Sequence, residues 1–111
     1  MMHDGLSVKF AALADPTRRA LLARLATGET TLSALAKPLS MTVPGVAKHL
    51  KVLERAGLVA RGERSVVRPV RLQPDAFAEM TDWIGGCRQH WERSFDRLAA
   101  HLAIDEEAPE S

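Results

Sequence analysis

The chain has 111 residues, enough for one domain, and its 46% hydrophobic content can build a core. No apolar run approaches the roughly 18 residues that a membrane span needs, the start Met1-Met2-His3-Asp4 has neither a charged leader nor a long apolar region, and one cysteine permits no internal disulfide, so a cytoplasmic protein without a signal peptide is expected. The net charge of +1 hides a polarised distribution: residues 42–72 carry Lys48, Lys51, Arg55, Arg61, Arg64, Arg68 and Arg71 against Glu54 and Glu63, whereas Asp105, Glu106, Glu107 and Glu110 make 105–111 an acidic tail.

The first expected element is a short helix over 7–14, with Ser7 as N-cap and Val8, Phe10, Leu13 and Ala14 apolar. Asp15-Pro16 marks a break and a new start, because Asp caps well and Pro is preset for the first helical turn. The helix over 16–27 presents Leu21, Leu22 and Leu25, and Gly28 suits its C-terminal cap. Thr31 is the expected cap of a third helix with Leu32, Leu35 and Ala36 inward, which Pro38 should end or kink. Thr42 caps the fourth. There Val46, Leu50 and Leu53 recur at helical spacing toward the core, Gly57 closes the helix, and Lys48, His49 and Lys51 are left on other faces.

Residues 59–72 read as a basic hairpin, 59–63 and 66–72 around a turn near Arg64-Ser65, with Pro69 confining the second strand to an edge. A long helix is expected over 75–103. Phe77, Met80, Ile84, Cys87, Trp91, Phe95, Leu98 and Leu102 step along it by three or four, with Gly85-Gly86 as an interruption. That stripe is too much apolar surface for so small a core. A dimer interface through Phe77, Met80, Ile84, Cys87, Trp91, Phe95 and Leu98, joined by Phe10 from the first helix, is its natural outlet. Residues 1–104 then form the folded domain, with 105–111 disordered. Helix, turn, exposed basic helix and basic hairpin in that order give a mainly α fold, a winged helix-turn-helix with a two-stranded β wing and a long C-terminal dimerisation helix. Such a layout places a helix in the DNA major groove.

Three segments carry a resemblance to the ArsR/SmtB family of bacterial winged-helix repressors: FAALADPTRRALLARL (10–25), VAKHLKVLERAGLV (46–59), and the basic hairpin with the long helix behind it. The resemblance spans about 7–103. It implies a homodimer that binds an inverted repeat in double-stranded DNA and blocks transcription, with 42–56 as recognition helix and 59–72 as wing. RQHWERSFDRL (88–98) resembles a branch without a recognised metal site.

Side chains near the start of a recognition helix read base edges. Here they are Thr42, Val43, Pro44, Gly45, Ala47, Lys48 and His49. Family members usually carry more polar residues at the places of Val43, Gly45 and Ala47, so hydrogen-bond readout should be sparse and contact with thymine methyls greater. Lys48 and His49 are the leading base or phosphate contacts, with His49 open to a structural role instead. Lys51 lies nearer the helix end. Thr31 and Thr42 can offer phosphates a hydroxyl or a helix start while also capping. Arg61, Arg64 and Arg68 belong to the wing, with Arg64 at its tip facing the minor groove.

Metal sensors of the family use a cysteine pair in the third helix or a carboxylate/histidine set in the last. Thr31-Leu32-Ser33-Ala34-Leu35 holds no thiol, and Pro74-Asp75-Ala76-Phe77 offers at most one ligand. His90 and His101 are eleven apart, but Arg88 and Ile104 stand where flanking ligands would be expected. No metal and no cofactor is therefore expected. Cys87 and His90, one turn apart, leave a metal- or thiol-responsive sensor as one alternative, and a winged-helix protein-interaction module as another. Nothing resembles a phosphate-binding glycine loop, a zinc-enzyme helix or a nucleophile elbow, so no enzyme is expected. The residues name no inducer.

Overall fold

The structure, a computed structural model, describes residues 4–62 and 68–107. The elements run α1 (Gly5–Ala12), α2 (Pro16–Leu25), α3 (Leu32–Ala36), a three-ten turn (Lys37–Leu39), α4 (Val43–Arg55), β1 (Val59–Arg61), β2 (Val70–Leu72) and α5 (Pro74–Glu107). Contacts divide the chain into two compact units, residues 1–80 and 81–111.

In the first unit, the starts of α1, α2, α3 and α4 each carry a side-chain acceptor. Asp4, not Ser7, caps α1, because the Ser7 N–H donates to Asp4 Oδ1 at 2.7 Å. Both residues offer an acceptor, and the chain takes the one that adds three residues to the front of the helix. Asp15 caps α2 through the Arg18 N–H at 3.0 Å. Thr31 and Thr42 cap α3 and α4 through the N–H groups of Ala34 and Gly45, each at 3.2 Å.

Pro38 ends α3 by turning it into the three-ten segment. Ser40 then adopts φ 52°, a left-handed conformation, and makes the turn between the two helices of the motif. At the end of α4, Gly57 sits at φ 77°. Its N–H donates to Glu54 O at 2.9 Å, and the Leu58 N–H reaches back to Leu53 O at 3.0 Å. Leu53 and Leu58 are both fully buried, so the glycine reverses the chain while an apolar contact holds the reversal. The core gathers Leu21, Leu35, Val46, Leu50, Leu53, Leu58 and Val70. Every predicted core position of α4 is among them.

The hairpin strands are shorter than the sequence suggests. β1 and β2 pair antiparallel with Val59 opposite Leu72, Ala60 opposite Arg71 and Arg61 opposite Val70. The expected turn at Arg64-Ser65 lies outside the described residues. Pro69 falls just before β2, where its carbonyl accepts the Gly62 N–H at 2.8 Å. The other edge of β2 is not open along its length. Thr30 bridges Val70 through two hydrogen bonds, at 2.7 and 3.1 Å, tying the loop before α3 to the wing stem.

α5 runs through Gly85-Gly86 without a break and on to Glu107, past the expected helix end near Ala103. In the second unit its apolar stripe is open: Ile84, Trp91, Phe95, Leu98 and Leu102 are each at least 50% exposed. Trp91 and Phe95 stack at 5.9 Å between ring centres. Among the described residues no helix is long and apolar enough to cross a membrane.

Candidate nucleic-acid interface

α4 is an amphipathic helix with its apolar side fully committed. Val46, Leu50 and Leu53 have no exposed surface, which locks the helix against the core. Pro44, Lys48 and Lys51 lie on its opposite side and are exposed, as are Thr42 and Val43 at the helix start, with Gly45 and Ala47 half-buried. The expected readout residues are thus brought together at the start of one helix. Gly45 has a second reason to be small: a Cβ there would stand 3.1 Å from Thr42 Oγ1, the atom that caps the helix. The N-terminal end of α4 combines a partial positive charge with a nearby lysine, which suits phosphate.

His49 is turned another way. Its Nδ1 lies 3.8 Å from Asp15 Oδ2, and both side chains are half-buried. The histidine therefore faces the start of α2. Asp15 is held below the ordinary carboxylate value, chiefly by the hydrogen bond from the Arg18 backbone N–H. Burial opposes this, while the charges of His49 and Arg18 assist it.

The wing arginines separate into three cases. Arg61 shares a strand face with the buried Val59, so its side chain is carried inward. It is only 17% exposed, with Nε 3.9 Å from Glu54 Oε1 on α4. The residue expected to contact DNA from the wing thus lies beside α4. Arg68 is exposed and donates from Nε to Gly62 O at 3.3 Å, bracing the stem. Arg64 lies outside the described residues. Arg71, not singled out in the sequence, is exposed in the middle of β2. The alternation Val70 in, Arg71 out was the signal that could have found it.

Arg18 and Arg19 also had no assigned role. Arg18 donates from Nε to Ala12 O at 2.6 Å and from Nη2 to Ala11 O at 3.3 Å, and Arg19 donates to Leu13 O at 2.7 Å. The pair supplies donors to the carbonyls of Ala12 and Leu13 at the end of α1, and a second donor to Ala11 O, which also accepts the Ala14 N–H at 3.1 Å.

The residues expected at a dimer interface divide by burial. Met80 is 4% exposed and belongs to the core of the first unit, against which Phe10 and Phe77 also pack. Cys87 is half-buried, and Ile84, Trp91, Phe95 and Leu98 are open. The stripe is continuous in sequence, but its first part is consumed by the protomer's own packing. Among the described residues, no three or more His, Cys, Asp or Glu side chains gather as a metal site would require.

Capped helices, a left-handed turn, an exposed helix with a locked back and a two-stranded wing define a winged helix-turn-helix protein. A helix-turn-helix domain family matches residues 13–61. The chain is similar to the HTH-type transcriptional regulator Rv2034 of Mycobacterium tuberculosis, 42% identical over 69 residues that cover 62% of this chain and 64% of that protein. The chain thus spans just under two thirds of that relative's length. Its fold is similar to that of the ArsR family transcriptional regulator RHA00566, at 38% identity and a TM-score of 0.73, over 80% of this chain and 98% of the other. It also shares the fold of a homodimeric winged helix-turn-helix DNA-binding domain from Mycobacterium bovis, at 24% identity and a TM-score of 0.64, over 81% and 84%. The chain belongs to the ArsR family of transcriptional regulators. This is a family of DNA-binding regulators and not of enzymes.

Proposed function

We propose that this protein is a cytoplasmic, homodimeric repressor that binds an inverted repeat in double-stranded DNA. Each protomer sets the start of α4 into a major groove and lays its wing against the flanking backbone. The observation that carries this reading is the exposure of Thr42 and Val43 at the start of α4 together with Pro44, Lys48 and Lys51 on its outer side, backed by the fully buried Val46, Leu50 and Leu53. A locked helix with a small, weakly hydrogen-bonding front reads shape and thymine methyls more than polar base edges. The open stripe of Ile84, Trp91, Phe95 and Leu98 supports pairing with a second copy, as does the homodimeric state of the Mycobacterium bovis domain. Repression follows from the family resemblance.

The test is fluorescence anisotropy on the duplex upstream of the protein's own gene, with a scrambled duplex as control, over several salt concentrations and without added metal. Preferential binding of the native duplex at physiological salt is expected. Equal binding to both, fading steeply with salt, reduces the surface to a phosphate binder. No binding even at low salt sinks the DNA reading.

A further inference from the structure

A concavity of about 380 Å³ opens where α1, α2 and the second half of α4 meet. It falls within the roughly 300–1,000 Å³ range of small-ligand clefts. Its apolar wall is made by Val8, Ala11 and Ala12 of α1 and Val52 of α4, and the alanines leave the gap by offering only a methyl each. Its charged wall is made by Arg18 and Arg55. Arg18 is fixed by its bonds to the Ala12 and Ala11 carbonyls, and its remaining N–H groups have no hydrogen-bond partner among the described residues. Arg55 is exposed and makes no hydrogen bond or ion pair among the described residues. No acidic side chain lines the concavity, and the neighbouring Glu54 is placed against Arg61.

Two cations and an apolar wall select for a particular chemistry. A bare anion would leave the apolar wall wet, and a neutral hydrocarbon would leave Arg55 and the remaining N–H groups of Arg18 without an acceptor. We propose that this concavity binds a small amphipathic carboxylic acid, its carboxylate on Arg55 and Arg18 and its apolar body over Val8, Ala11 and Val52. Val52 and Arg55 share a helix with Thr42, Lys48 and Lys51, so an acid that favours one position of α4 changes DNA affinity. That effector role rests on the DNA-binding reading above. Binding of the acid does not.

The experiment is a methyl-detected NMR titration of the full chain with hexanoate, phenylacetate and indole-3-acetate, with phenylacetamide and inorganic phosphate as controls. At least one acid should give saturable shifts at the methyls of Val8, Ala11 and Val52. Arg55→Gln, at an exposed position, should weaken that binding about tenfold. Ala11→Leu, which fills the gap, should abolish it while the rest of the spectrum stays folded. No saturable shift with any of the three acids overturns the proposal. So does phenylacetamide binding as tightly as phenylacetate, or phosphate alone reproducing the shifts. Anisotropy with and without the bound acid then tests the effector role. Unchanged DNA affinity overturns that role, and absence of DNA binding without acid counts against the DNA reading while leaving the acid site standing.

Discussion

Gly62 and Pro69 face each other across the stem of the wing so closely that only a glycine fits. The Gly62 N–H donates to the Pro69 carbonyl at 2.8 Å, and a Cβ on Gly62 would come within 2.8 Å of Pro69 Cγ and 2.9 Å of Cδ. Proline at this place is tolerated because β2 begins one residue later, so its missing N–H removes no bond of the β1–β2 pairing. Gly62→Ala should therefore cost about 1–2 kcal/mol. Urea denaturation measures it. In a Pro69→Ala background the same change should cost clearly less, by about 0.5 kcal/mol or more, since the partner ring is gone. Equal costs in both backgrounds would show that the ring is not the obstacle.

Ser40 turns the chain between α3 and α4 in a left-handed conformation at φ 52°. A side chain there carries a backbone penalty that glycine lacks. Ser40→Gly should stabilise the protein by up to about 1 kcal/mol, even though glycine also loosens the unfolded chain. Thermal unfolding checks it, and a lowered midpoint would contradict the strain.

Asp15 gives a pH signature with a definite sign. Its folded value lies below the ordinary 3.8, so its stabilisation is present above that value and is lost as pH falls through the depressed one. The stability gap between wild type and Asp15→Asn should stay level above about pH 5 and close below 3.8. Denaturant titrations across that range are the measurement. A gap that widens on acidification is incompatible with the Arg18 N–H as the main cause.

Lys48 and Arg61 were alike in sequence and differ in place. Lys48→Gln should lower the slope of log K against log salt by about one unit if it meets one phosphate. Arg61→Gln should leave that slope nearly unchanged, because Arg61 is directed at Glu54 on α4. Anisotropy over a salt series on the same duplex compares them. A larger slope change for Arg61 than for Lys48 would reverse the assignment of the two cations.

Met80 and Phe95 lie on one helical stripe with opposite burial, 4% against 60%. Met80→Ala should remove about 2–5 kcal/mol of stability. Phe95→Glu should leave folding little affected and shift sedimentation toward the monomer. A Phe95→Glu protein that sediments as wild type would move the expected interface off this stripe.

What the sequence determined by itself is local. Asp15-Pro16, Thr31 and Thr42 start helices because their side chains reach an N–H three residues on, within a single turn. Gly57 ends α4 because it alone in that stretch takes φ 77° without a Cβ penalty. Val46, Leu50 and Leu53 face the core because a helix repeats every 3.6 residues. The tertiary structure decided what stands opposite each side chain. Spacing put Arg61 on a face but could not say that Glu54 lay across from it. It left His49 without a partner, although Asp15 waits 34 positions earlier in the chain. Nor could it foresee that Arg18 and Arg19 would close the end of α1, that Thr30 would bridge Val70, or that Met80 would be absorbed into the core while Phe95 stayed open. Periodicity gives the direction of a side chain from its own element, whereas its partner depends on how distant elements pack, which no local window contains.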